Sequence, residues 1–370
     1  MNETTMVTTA PAAAERGPAR GGFWRRWPQW APWAATLWAL GYGLTALGWT
    51  LTGSGFPPAA DPEPELSLVG DVPADAGAPL FAAVALAAAG TGAVMARHRA
   101  GAEVPRWWRR FAVGLGGLLA VVLLVVVPDM RILAVLGYVP MIVALAPFDA
   151  GLRADLGNAF GPEHVHQVLA LAGGFLWAAA TVVYARRTAG SCVRCGRPDR
   201  AARVATVLRW GRAATYVAAV IPALYAATRW LWVAGVPMGM SREQLDAAAA
   251  DGGMVAAAFL GSFALVGTVL TLGLVQRWGE VFPRWIPVLR GRSVPVGLAV
   301  VPATVVAMLA TAGGLSLTKT GLLDARFTAS DWAAVGPAML WPLWGVALAW
   351  AALAYWLRRR GGCATCGAEG

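Results

Sequence analysis

The residues best suited to chemistry are four cysteines, Cys192, Cys195, Cys363 and Cys366, the only cysteines in the chain. They lie in two short polar stretches, "SCVRCGRPDR" from Ser191 and "GGCATCGAEG" from Gly361. CxxCG is the shape of a zinc knuckle: two thiolates chelate from one tight turn, and glycine accepts the turn's backbone. One pair is half of a structural site, and two pairs complete a tetrahedral set of four thiolates. At this spacing a reducing compartment favours metal or redox work over structural disulfides. Arg194 and the neighbouring arginines would lower a thiol pKa, which suits a zinc ligand and a redox thiol equally. Three readings therefore stand: one shared zinc site, a thiol–disulfide pair, or a knuckle that holds no metal.

The elements that position these pairs belong to a membrane protein. Of 370 residues, 58% are hydrophobic and 14% charged, with 19 tryptophans; soluble domains carry about 25% charged residues. Residues 1–22, rich in Ala, Pro and Thr, lack a compact apolar core before a cleavage site and read as a disordered cytoplasmic tail. The Ala/Gly/Val/Arg bias with a single lysine points to a GC-rich, bacterial genome. A crossing helix needs about 20 apolar residues. Uncharged runs occur at 27–60, 76–96, 111–128, 132–148, 167–185, 213–228, 252–276, 293–318 and 332–357. The run at 213–228 is short, and its reach is extended if Arg229 snorkels. The first run is too long for one span, and its "GSGFPP" end reads as loop.

Charge selects among topologies, because cytoplasmic loops hold an excess of Lys and Arg. If run 132–148 does not cross, the inside segments hold 24 of the 30 Lys and Arg and the outside holds 14 of the 20 acids. If all nine cross, the basic residues divide 14 to 16 and the bias vanishes. An even number of crossings follows, with both termini in the cytoplasm of a bacterial inner membrane.

Self-similarity identifies the run left out. "EVPRWWRR" resembles "EVFPRWIPVLRGR". "LWAAATVVYARRTAGSCVRCG" resembles "LAWAALAYWLRRRGGCATCG". Tyr184 precedes Cys192 by the same eight residues that separate Tyr355 from Cys363. The expected fold class is therefore all-α: a polytopic transmembrane bundle built by tandem duplication of a four-span unit. The first unit spans 23–200 and the second 201–370, each ending in CxxCG, for eight spans in all. Parallel repeats of this kind are related by an axis along the membrane normal. Run 132–148, with Pro140 and Pro147, is expected as a re-entrant or interfacial hairpin packed on other helices. Its counterpart "SLTKTGLLDARFTASDW" is too polar to cross. Helix contacts are expected at small residues such as "AAAGTG" from Ala87.

Other candidates are weaker. Glu163, His164 and His166 of "PEHVHQ" suit a metal or proton site, but more simply are solvated residues capping a helix N-terminus. The Arg-rich segment 186–212 suits anionic lipid headgroups at the cytoplasmic face, or is only the topology signal. Tryptophans 24, 27, 30, 33 and 38 suit an interfacial belt, or a quinone or lipid pocket. His98, Arg229, Lys319 and Asp331 all fall at span edges, so no span centre holds the ionisable group of an ion relay. Walker A, HExxH and GxSxG are absent. Nothing points to nucleic acid.

"GYGLTALGW", "RWGEVFPRWIPVLRGR" and "LWPLWGVALAWAALAYWLRRR" together resemble polytopic membrane proteins of actinobacteria that have no assigned activity. The resemblance spans most of the chain and brings no functional residues with it. The expected function is a non-enzymatic regulator, scaffold or partner subunit with a membrane or cytoplasmic protein partner. Transport of a neutral or lipophilic small molecule between the repeats, and thiol–disulfide exchange, are the alternatives.

Overall fold

The computed structural model describes residues 26–61, 63–99, 101, 103–148, 162–196, 201–323, 332–363 and 365–366. The expected tail at 1–22, Trp24 and Asp331 lie outside them. The protein is an all-helical, multi-pass membrane protein; among the described residues the only strand-like pairing is a single bridge, Val281 to Ser293. Hydrocarbon offers no partner to an unpaired amide or carbonyl, so the chain crosses as helices that bond internally.

Among the described residues, six helices are long and apolar enough to cross: Ala74–Arg97, Arg106–Val126, His164–Arg187, Val204–Val233, Gly253–Leu272 and Val296–Gly321. The full elements are α1 (Trp27–Thr52), α2 (Ala74–Arg97), α3 (Arg106–Val121), α4 (Met130–Leu145), α5 (Pro162–Arg187) and α6 (Ala201–Val233). There follow α7 (Arg242–Ala250), α8 (Gly253–Leu272), α9 (Val296–Thr318), α10 (Trp332–Met339) and α11 (Trp341–Arg359). Helices α1 and α11 are 26 and 19 residues long, but their apolar surface is broken up by Trp, Pro, Gly and Tyr.

Helix α1 stops at Thr52, just before the expected "GSGFPP" loop, where Gly53 takes φ +66° and closes the helix with a left-handed cap. Other boundaries differ from the sequence expectation, each for a local reason. The "loop" at 186–212 becomes helix from Ala201, so Arg209 and Arg212 ride on α6. The last apolar run is split at Leu340, between α10 and α11, with Pro342 in the first turn of α11. Run 132–148 is not a hairpin: Met130–Leu145 is one 16-residue helix that continues through Pro140. It does pack on other helices, chiefly α9. Helix α9 runs on into a π-turn at Lys319–Leu323, and α3 into one at Val122–Val126.

Both halves pack in the same order. Helix α1 packs on α2 and α5, and α5 on α3; α6 packs on α8 and α11, and α11 on α9. Small residues set these approaches. Ala88, Ala89, Thr91 and Gly92 are buried, and a Cβ on Gly92 would lie 2.6 Å from Thr36 Oγ1. A Cβ on Gly345 would collide with Thr311 Oγ1 and the Ala307 carbonyl of α9.

Arg229 does not snorkel. It is buried, its guanidinium 4.2 Å from the Tyr225 ring centre and 4.1 Å from that of Trp232, and it donates to the Ala333 carbonyl at 3.2 Å. Two aromatic faces and a carbonyl replace the water it would otherwise seek.

The halves also meet through a loop at the end of the bundle away from the cysteines. The first-half loop 57–71 reaches the second half there: Lys319 Nζ donates to the Ser67 carbonyl at 2.9 Å, Thr320 Oγ1 to that of Glu65 at 2.8 Å, and Ser316 Oγ to that of Leu66. The same loop is held to α4 by an ion cluster. Arg131 donates through both terminal nitrogens to Asp61 at 2.6 Å and also bonds Asp129, which is fully buried. Gln167 Nε2 donates to Asp129 at 2.8 Å. Replacing Arg131 by Ala strands two carboxylates with little water, at about 3–5 kcal/mol. Thermal unfolding in detergent should show a clear fall in midpoint for R131A and partial recovery for D61N/R131A; an unchanged R131A midpoint would refute the role assigned to the cluster.

Candidate metal centre

The C-termini of α5 and α11 lie at one end, where the cysteines that follow them meet. That end is fixed by direct contacts. Arg187 at the end of α5 donates to the Pro28 carbonyl at the start of α1, and Arg109 at the start of α3 donates to Thr188 at 2.9 Å. Arg358 at the end of α11 donates to the Leu274 carbonyl just past α8, and Arg359 to the Val294 carbonyl just before α9.

Each cysteine pair leaves its helix through a short linker. In the first, the Ser191 amide donates to the Arg186 carbonyl at 3.1 Å and the Gly196 amide to the Cys192 carbonyl at 2.8 Å. Gly196 has φ +68°, a conformation that side-chain-bearing residues rarely adopt. Arg186 holds the turn from behind, donating to the Val193 carbonyl at 2.8 Å and the Arg194 carbonyl at 3.0 Å. In the second, Tyr355 is buried and donates to the Gly279 carbonyl at 2.7 Å, which anchors the last turns of α11. The linker from Arg360 to Gly362 then carries Cys363 outward.

The two pairs converge across 171 residues of chain. Cys192 Sγ lies 3.9 Å from Cys363 Sγ, and Cys195 Sγ lies 3.4 Å from Cys366 Sγ. All four sulfurs lie within 4.8 Å of one another. A tetrahedral zinc with Zn–S of about 2.3 Å places its sulfurs about 3.8 Å apart. The sulfurs thus already stand close to the corners of such a site.

Electrostatics favours thiolate here. The Cys363 thiol is pulled down to about 6 by the backbone amides of Thr365 and Cys366, with the thiols of Cys366 and Cys195 adding to the effect. Cys192 is lowered too, first by the Cys195 amide and then by the Arg194 amide and the neighbouring thiols. Amides converging on a sulfur stabilise its charged form. The arrangement can bind a soft or borderline metal cation, or cycle between dithiol and disulfide by exchange with an external thiol or disulfide.

The other candidate residues do not join this cluster. His166 is not a solvated capping residue: it is buried, and its Nδ1 lies 2.7 Å from Tyr42 Oη. Helix α1 packs over it, which an apolar run read in isolation does not reveal. His164 is half-buried, and the Glu163 side chain lies outside the described residues. Of the tryptophans, Trp33 is exposed toward the surroundings of the bundle and Trp38 donates to the Leu169 carbonyl at 3.0 Å. Sequence reading missed Asp129, Arg131 and Asp61 as a group. Asp129 and Arg131 sit between two apolar runs, where charge looks like loop, and only Asp61's approach across 70 residues shows them as a cluster.

Comparison with family models, with curated proteins and with solved structures finds no match. The chemistry of the centre therefore rests on its own geometry. If Cys363 is a thiolate near neutrality, its alkylation rate in metal-free protein should be flat above about pH 7 and fall as pH drops below 6. Peptide mapping after iodoacetamide pulses checks this; a rate still rising between pH 8 and 9 would place the thiol at its ordinary value.

Proposed function

We propose that the protein is a non-enzymatic regulator, scaffold or partner subunit of a bacterial inner membrane. On this reading it is a tandem duplication of a four-span unit, with eight spans and both termini cytoplasmic. One zinc ion, held by Cys192, Cys195, Cys363 and Cys366, clips the two halves together at the cytoplasmic face. The observation that carries the reading is the convergence of four sulfurs, two from the end of each half, within 4.8 Å.

Two further points support it. The two halves pack their helices in the same order, as a duplication requires. The bundle end with the cysteines gathers Arg97, Arg106, Arg109, Arg186, Arg187, Arg358 and Arg359, as a cytoplasmic face does. The opposite end carries Asp61, Asp71 and Asp129. A bilayer packing of small residues holds the helices without metal, so zinc fixes the 188–196 and 360–366 segments more than it creates the fold.

Metal analysis of the purified chain is the direct test, with one zinc per chain expected. C363S/C366S and C192S/C195S should each abolish it while leaving the helical signal and thermal midpoint close to the parent. Zinc retained in full after either double substitution would rule out a shared site. A disulfide that forms and reduces within the glutathione range, with no zinc at any stage, would instead favour the thiol–disulfide reading.

A further inference from the structure

The segment between α8 and α9 carries a feature with no counterpart in the first half. Residues 280–294 fold as a short hairpin: the Val294 amide donates to the Glu280 carbonyl at 2.9 Å, the Phe282 amide to that of Arg292 at 3.0 Å, and the Gly291 amide to that of Phe282 at 3.1 Å. Gly291, at φ +73°, turns the chain back. The hairpin lies at the cysteine end, because Gly279 and Glu280 accept from Tyr355 and Arg359 of α11.

Its tip is apolar and exposed. Trp285 and Val288 are each 79% exposed, outside any helix of the bundle. Arg284, Arg290 and Arg292 flank them, and Arg277 precedes the hairpin. None of these four guanidinium groups has an ion pair or a side-chain hydrogen bond among the described residues. The one acid nearby, Glu280, is already engaged by Arg358 at 3.2 Å. Exposed tryptophan beside unpaired arginine matches the headgroup level of a bilayer, where ring and charge each find their medium.

Beneath the hairpin lies a cavity of about 380 Å³, within the size range of ligand pockets. Its walls are apolar: Leu270 from α8, Trp278, Phe282 and Ile286 from the hairpin segment, and Leu298 and Val306 from α9. An occupant must therefore combine a long apolar part with an anionic head that several arginines can share. In the first half the matching "EVPRWWRR" runs straight into α3 from Arg106, so it forms no hairpin.

We propose that the 280–294 hairpin and the cavity under it form a binding site for one anionic phospholipid. An acyl chain would occupy the cavity, and the phosphate would be shared by Arg284, Arg290 and Arg292. This site is independent of the zinc reading, since none of its residues is a cysteine or a knuckle residue.

Native mass spectrometry on the purified full-length protein tests it, with dioleoyl phosphatidylglycerol and dioleoyl phosphatidylcholine as probes. One phosphatidylglycerol should bind tightly, and phosphatidylcholine much more weakly. Each arginine at a lipid surface is worth about 1 kcal/mol, so R284Q/R290Q/R292Q should weaken phosphatidylglycerol binding about a hundredfold. R284K/R290K/R292K should keep most of it. Ala303→Phe, which fills the cavity from α9, should weaken it with every arginine in place. Equal affinity for the two lipids would overturn the proposal, as would a Gln triple variant that folds normally and binds like the parent. So would full competition by glycerol phosphate, which would mark a simple anion site.

Discussion

Everything in this molecule follows from the requirement that a backbone in hydrocarbon satisfy its own amides and carbonyls. The chain can cross only as helices, so each connection lies at one face or the other. Successive crossings reverse direction, and parity then decides which loops become neighbours. The C-terminus of α5 and the C-terminus of α11 lie at the same end, and a sequence separation of 171 does not prevent Cys192 from meeting Cys363. A soluble fold would need a specific tertiary path to achieve the same meeting.

The two ends of the bundle solve different problems. Away from the cysteines, charges are buried and must be paired; Arg131 serves both Asp61 and Asp129, and Gln167 fills a further acceptor site on Asp129. That cluster and Lys319 join the first-half loop to α4 and α9 through short, direct contacts. At the cysteine end the arginines at the helix C-termini instead donate to carbonyls of the connecting segments: Arg186 to those of Val193 and Arg194, Arg358 to that of Leu274, Arg359 to those of Glu280 and Val294. A cation at the C-terminus of a helix also meets the negative end of its dipole. The same arginines that mark topology therefore also shape the knuckles.

Local features were legible in the sequence where periodicity and spacing carry the information. The apolar runs gave the helices, and the matched Tyr-to-Cys spacing pointed to the meeting of the two pairs. What the sequence hid was long-range. Arg229 looked like a residue at the edge of a span, and only the placement of Tyr225, Trp232 and Ala333 around it explains its burial. His166 looked like part of a polar helix start, but Tyr42 on α1 covers it. Run 132–148 contained two prolines and suggested a hairpin. Yet Pro140 is accommodated within α4 and no turn forms there, because a proline costs one amide bond without forcing a reversal.

The cysteine cluster is the least self-sufficient part of the structure. Four sulfurs within 4.8 Å, with Cys192 and Cys363 both held toward the thiolate form, concentrate negative charge where few groups offset it. Arg186 is committed to two carbonyls of the turn. Backbone amides favour each thiolate singly, but they do nothing to reduce repulsion between two thiolates side by side. Holding all four as thiolates therefore requires a cation among them, and a divalent metal at the centre of the tetrahedron is the closest such charge to every sulfur. Without it, protons return to some of the sulfurs, or an external two-electron oxidant takes up the electrons as two neighbouring sulfurs join in a disulfide. The helix packing of the bundle rests on contacts that the cluster does not share.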